Sequence, residues 1–237
     1  MLSNKHLHFA LEPKTLALTY DDGPGPRTLE LAEFLTQNNI TATFFVVGRH
    51  VREHREVVAK VAKLGHLIAN HTDTHPSLVK RPIDADQLTR EVVAAHHEIQ
   101  QFVGDRKLFL RTPGGEPLRG LAATLNRNPE LQNYYGAVNW DIQRGDYEVG
   151  SPWCGYSQYT LELCQQEHLE WICKEEKGVV LLHDWSADPP QPRGETLRRN
   201  NRTLELTKWL IPRLEGFKFV TLDEIAESDY YYKAAAS

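Results

Sequence analysis

Thr15-Leu16-Ala17-Leu18-Thr19-Tyr20-Asp21-Asp22-Gly23-Pro24 sets an apolar, strand-forming run directly against two carboxylates and a glycine-proline turn. A strand apolar on both faces is the kind expected in a buried parallel sheet. The same arrangement recurs along the chain. Ala42–Val47 is a second such run, His66–Ala69 ends before His71, Leu108–Leu110 before Arg111, and Val179–Leu182 before His183, while Gly136–Trp140 precedes Asp141. Between these lie segments of helical period: Leu29–Asn38, Arg52–Leu64 with Val57, Val58, Val61 and Leu64, and Ala85–Val103 with Leu88, Val92, Ala95, Ile99 and Phe102. A final helix, Thr203–Leu214, precedes a strand at Phe217–Thr221. Strands alternating with helices predict an α/β fold, and in such folds sites assemble at the carboxyl ends of the strands. Every polar cluster named above sits at such an end. No repeat or internal linker divides the chain, so residues 1–237 read as a single domain.

With 41% hydrophobic and 25% charged residues, the 237-residue chain has the composition of a globular domain, and no apolar run approaches the roughly 18 residues a membrane helix needs. A net charge of -5 supplies no broad basic field for nucleic acid. The basic run Arg193–Arg202 and the proline-rich Asp188–Gly194 read as solvated loop. Cys154, Cys164 and Cys173 lack paired zinc spacing, and an odd count argues against a disulfide framework. Met1–Glu12 has no apolar stretch of the secretory kind, which points to the cytoplasm, or to an extracytoplasmic domain whose export segment has been removed. The aromatic segment Tyr156–Trp171 reads as a packed helix rather than a lid.

His71-Thr72-Asp73-Thr74-His75 places two imidazoles four residues apart, the spacing that puts both on one face of a helical turn and lets them share a metal. His50 and His54 share that spacing and read as surface residues of a helix. Asp21-Asp22-Gly23 is ordinary turn chemistry taken alone. With His71 and His75 it completes two histidines and a carboxylate, which leave positions open for water and substrate. His183, at the mouth of a buried strand, is placed to donate a proton. Arg111-Thr112-Pro113-Gly114-Gly115 offers a guanidinium for a carboxylate and a glycine amide for an oxyanion. Trp140-Asp141 and Asp146-Tyr147 offer a sugar-stacking aromatic and a supporting carboxylate, with core or surface roles equally open to each.

In order, these segments resemble the five motifs of the polysaccharide deacetylases, carbohydrate esterase family 4 or NodB-like deacetylases, over roughly Thr15–Ile225. Thr19-Tyr20-Asp21-Asp22-Gly23-Pro24 is similar to the first motif and Asn70–Pro76 to the second. The resemblance implies a distorted (β/α) barrel in which Asp22, His71 and His75 hold one divalent ion, zinc or else cobalt or nickel. It implies Asp21 as general base, oriented by Arg111, a Gly114 amide for the oxyanion, His183 as general acid, and Leu181 lining a pocket for the acetyl methyl. The implied substrate is N-acetylglucosamine in a chitin-like or peptidoglycan-like glycan. O-acetyl hydrolysis, cleavage of a C–N bond in a small molecule, and carbohydrate binding without turnover are the alternatives. The chain departs from the family pattern twice. Gly114 stands where an aromatic is usual, and Gln143 aligns with the aspartate that tunes the acid, with Tyr147 in place of tryptophan, leaving Asp141 or Asp146 to substitute.

Overall fold

The computed structural model describes residues 1–78, 83–150, 159–187, 195, 198 and 201–234. Cys154, Tyr156, the run 188–194 and most of 193–202 lie outside the described residues. Among the described residues, nine strands make one sheet: β1 (Leu2–Phe9), β2 (Thr15–Asp21), β3 (Thr43–Val46), β4 (Leu67–Asn70), β5 (Leu108–Leu110), β6 (Tyr134–Val138), β7 (Gly178–His183), β8 (Lys218–Phe219) and β9 (Tyr230–Lys233). Their order is β7-β2-β3-β4-β5-β6-β1-β9, with β8 paired to the start of β2. All pairings are parallel except β1 with β9.

Side-chain alternation along each strand separates two apolar layers. Leu16, Leu18 and Tyr20 of β2, Phe44 and Val46 of β3, and Val180 and Leu182 of β7 join the layer under the helices. Ala17, Phe45, Ala69, Phe109 and Val179 instead meet Leu7 and Phe9 in an inner cluster. Residues of β7 and β1 stand near opposite ends of the sheet order and still share that cluster, so the sheet is curled into a barrel. A short segment spans its seam: Asn139 donates to Leu7 O, and both Asp141 and Ile142 donate to Val179 O on β7. This is the α/β fold that the alternation predicts, in the distorted (β/α) barrel form that the resemblance implies.

The outer helices among the described residues are α1 (Thr28–Gln37), α2 (Gly48–Glu53), α3 (Arg55–Lys63), α4 (Ala85–Val103), α5 (Ala122–Arg127), α6 (Leu161–Glu175) and α7 (Thr203–Leu210). The Arg52–Leu64 helix of the sequence is two helices, broken at His54 (φ -132°, ψ 39°). The earlier start at Gly48 has a use. Its first amides, on Gly48 and Arg49, donate to Thr72 O and Asp73 O at 3.0 Å and fasten the loop after β4. α6 buries Cys164, Gln165, His168 and Ile172, which makes the described part of the aromatic segment a packed helix. β1 and β9 carry too many polar and tyrosine side chains to read as strands from their pattern alone.

Candidate metal and catalytic centre

β2 delivers Asp21 and Asp22 to the barrel mouth, both nearly buried. Strand geometry alone would point neighbours in opposite directions. Asp22 breaks that rule with φ 74°, a left-handed conformation that aspartate tolerates better than most residues. As a result both carboxylates reach one imidazole: His71 Nε2 lies 3.7 Å from Asp21 Oδ2 and 3.4 Å from Asp22 Oδ1. His75 Nε2 lies 3.3 Å from the same Asp22 oxygen.

The helical turn expected for His71 and His75 is absent. Residues 71–75 form a loop, with φ 67° at Thr72 and 58° at His75, and these two reversals bring the rings to 5.0 Å between centroids. Glu91 on α4 holds the loop by accepting from the Asp73 and Thr74 amides at 3.1 and 2.8 Å, and Arg52 grips Asp73 at 2.7 and 3.1 Å. His71 Nδ1 lies 2.8 Å from Arg111 O. A carbonyl only accepts, so Nδ1 carries the proton and Nε2 presents its lone pair to the cluster.

The ligand atoms of Asp22, His71 and His75 all lie within 4.8 Å of one another. Asp22 Oδ1 is buried without a hydrogen-bond partner among the described residues. A buried, unsatisfied carboxylate oxygen between two imidazoles is costly unless a cation answers it, so these residues fit a divalent ion. Burial alone would raise the Asp22 pKa, but the charges of His75, His71 and His183 outweigh it and hold the carboxyl far below the usual range. Burial likewise opposes charge on His71, and Asp21 and Asp22 overcome it to raise that pKa. A proton or a cation at Nε2 meets the same demand.

Arg111 is fully buried and donates to Asp21 Oδ1 at 2.7 Å and to Thr19 Oγ1 at 2.9 Å, with its guanidinium over the Phe45 ring at 4.2 Å. Burial lowers its pKa against the pull of Asp21, yet an arginine stays charged. Asp21 is thereby fixed in direction beside the cluster.

Opposite stands His183, whose Cα pairs in register with that of Asp21 across β7 and β2. Its Nδ1 lies 3.0 Å from Asp146 Oδ1, while Asp146 Oδ2 accepts from the His183 amide at 2.6 Å and from Thr203 Oγ1 at 3.0 Å. Burial works against an imidazolium, but Asp146, with help from Asp22 and Asp21, raises the His183 pKa to about 9. The carboxylate that contacts His183 is therefore Asp146, while Gln143 lines the cleft. Asp141 instead meets the start of β7. Its Oδ2 accepts from the Val179 amide at 2.8 Å, which makes it part of the seam. Tyr147 stands edge-on to the His183 ring at 4.9 Å. Leu181, two residues before His183 and so on the same strand face, lines the cleft with Gly114. Gly115 gives its amide to Thr112 O, leaving the Gly114 amide with no acceptor among the described residues.

Several contributors were not marked in the sequence. His50, read there as a surface residue, is buried with Nδ1 2.8 Å from Asp22 O. The Ala187 amide donates to Asp22 Oδ2 at 3.1 Å. Asp184 accepts from Thr28 beneath Gly23, and burial pushes its carboxyl up to about 7. His50 and Asp184 both follow apolar strands, and that position was the available signal.

The family model for polysaccharide deacetylase matches residues 10–129, about half of the chain. A chitooligosaccharide deacetylase of Rhizobium leguminosarum bv. trifolii is 40% identical over 89 residues, covering 37% of this chain and 40% of the relative. A peptidoglycan-N-acetylglucosamine deacetylase of Bacillus cereus is 31% identical over 134 residues, covering 56% and 46%. The matched part thus spans less than half the length of these two relatives. A chitin deacetylase structure from the fungal pathogen Colletotrichum lindemuthianum superposes with a TM-score of 0.71 at 24% identity, over 97% of this chain and 95% of that one. This last likeness shows the fold.

Proposed function

Because this chain belongs to the polysaccharide deacetylase family, we propose that it hydrolyses the acetamide of N-acetylglucosamine units in a glycan, using one divalent cation. The observation that carries this reading is the convergence of Asp22, His71 and His75 around an unsatisfied carboxylate oxygen, with Asp21 and His183 flanking it. When bound by those three residues, a divalent ion supplies Lewis-acid polarisation and makes water a stronger nucleophile near neutral pH. Two imidazoles and one carboxylate suit zinc, with cobalt or nickel as substitutes.

The chain's own groups divide the remaining work. Asp21, aimed by Arg111, accepts a proton from the water that attacks the acetyl carbonyl carbon. The free amide of Gly114 meets the negative charge that develops on the carbonyl oxygen. His183, kept protonated by Asp146, then gives its Nε2 proton to the sugar nitrogen as the carbon–nitrogen bond breaks, releasing acetate and a free amine. Leu181 offers an apolar surface for the methyl group. The relatives named above act, by their names, on N-acetylated sugars, which favours the amide over an ester as substrate.

Acetate release from N-acetylglucosamine oligomers tests the proposal, measured before chelation, after chelation, and after zinc, cobalt or nickel is restored. Release that disappears with the metal and returns with it is the expected result. A chain that holds one metal ion and leaves N-acetylated oligomers and peptidoglycan unchanged would sink the reading.

A further inference from the structure

The Gly114–Gly115 corner has no side chain to offer the cleft, yet it is built tightly. Gly115 O accepts from His6 Nε2 at 2.8 Å, so β1 holds the corner from one side. From the other side lies Trp140: a Cβ placed on Gly115 would run into the outer edge of its six-membered ring. A Cβ on Gly114 would meet nothing within 4 Å. Glycine at 115 is thus what allows the indole to lie on the corner, and glycine at 114 leaves the approach to its amide open.

Trp140 is carried by the seam segment between Asn139 and Ile142 and stands half-buried at the cleft wall, 5.6 Å from the Arg111 guanidinium. The cleft also contains Asp21, Asp22, His71, His75 and Gln143, which are polar. Its volume, about 320 Å³, is at the small end for ligand sites, suited to one substituted ring rather than several. Tyr147 is set edge-on to His183, and Trp185 lies on Gly25. Of these three aromatics, Trp140 is the one that lies on the glycine corner, against Gly115.

Resting on the reading of this cleft as a glycan deacetylase site, we propose that Trp140 is the stacking wall for the acetylated sugar ring, and that glycine at 115 exists to seat that wall. A sugar ring presents a face of C–H groups, and a tryptophan face covers it while the hydroxyls around the rim remain free for water or polar partners. The role is one of binding and orientation. It predicts an effect on affinity and KM, with kcat little changed.

The test uses the full chain loaded with zinc. Binding of an N-acetylglucosamine tetramer is measured by titration calorimetry in an Asp21→Asn background, and turnover is measured in the otherwise unaltered protein. Trp140→Leu keeps an apolar cover on Gly115 without an aromatic face, and it should weaken tetramer binding about tenfold and raise KM by a similar factor. Trp140→Phe should recover most of that loss, and both variants should still bind one zinc per chain. Wild-type affinity in Trp140→Leu would overturn the proposal. So would a fall in kcat at unchanged KM, or a parent protein that binds no tetramer. If the parent binds tetramer and releases no acetate, while Trp140→Leu binds it about tenfold more weakly, the wall stands and the assigned reaction fails.

Discussion

On one side of the cleft, Asp21, Asp22, His71 and His75 come from two runs of five residues or fewer, and each touches a neighbour from the same small set. On the other, His183 depends on Asp146, 37 residues earlier in the chain and delivered by a short 3-10 turn rather than a strand. The Gly114–Gly115 corner depends in turn on Trp140 and His6, from the seam and the first strand. The two sides show how polar chemistry is written into a chain. Where ligands must share one ion, their spacing is narrow and short runs of sequence fix it. Where a group needs only a charge or a flat surface nearby, many loop paths can deliver one.

The strongest way to break the first side is to remove a ligand. His71→Ala should reduce bound zinc from one per chain to near none, measured by metal analysis after dialysis, and cut acetate release about a thousandfold or more. Retained stoichiometric zinc with normal turnover would mean that the cation sits elsewhere. Arg111→Ala leaves Asp21 as a buried, unpaired carboxylate. Its urea unfolding should show a loss of about 3–5 kcal/mol, and a loss below about 1 kcal/mol would show that water already pays for that charge.

The second side is tested by its titration. Asp146→Asn removes the charge that holds His183 up at about 9. A general acid works only while protonated, so activity should fall on the alkaline side as pH rises through the His183 value. In the variant that limb should move toward the ordinary histidine value of about 6.5, with turnover at neutral pH down about a hundredfold. Stability has the same sign. A histidine raised in the folded state contributes its stabilisation fully below its unfolded value, and that contribution is lost as pH climbs through the folded one. Unfolding free energy measured from pH 6 to 10 should decline in the parent and flatten in Asp146→Asn. An alkaline limb that stays in place would assign it to another group. The smallest effect is expected at Asp141, which serves the seam: Asp141→Ala should cost about 1 kcal/mol in unfolding and change kcat by less than about threefold. A large kcat loss there would return it to the orienting role that the sequence left open to it.

The strand ends were legible because β2, β3 and β7 are apolar on both faces, and a buried parallel strand has few other readings. Asp21, Asp22, His71, Arg111 and His183 were singled out by that route, with the polar residue marking where the apolar run stops. The reversed φ angles at Asp22, Thr72 and His75 were hidden, since none of these residues is glycine and backbone direction leaves no mark in residue type. For the same reason His71 and His75 suggested a helical turn that the loop replaces. Counting along the chain pointed to Gln143, whereas space selects Asp146. His50 looked like a surface residue because the partner of its Nδ1, the Asp22 carbonyl, comes from the end of β2 and not from its own helix.

The seam at residues 139–142 joins β1 to β7 through few main-chain bonds: Asn139 to Leu7, Asp141 and Ile142 to Val179, and Leu181 back to Ile142. A wall held so sparsely opens more readily than one of full strands, so its amides should lose protection against deuterium before those of β2 and β3. Trp140 rides on that segment. A glycan resting against the indole would therefore be felt as slower exchange at this sparsely bonded join, so ligand affinity and the local stability of the closure rise and fall together.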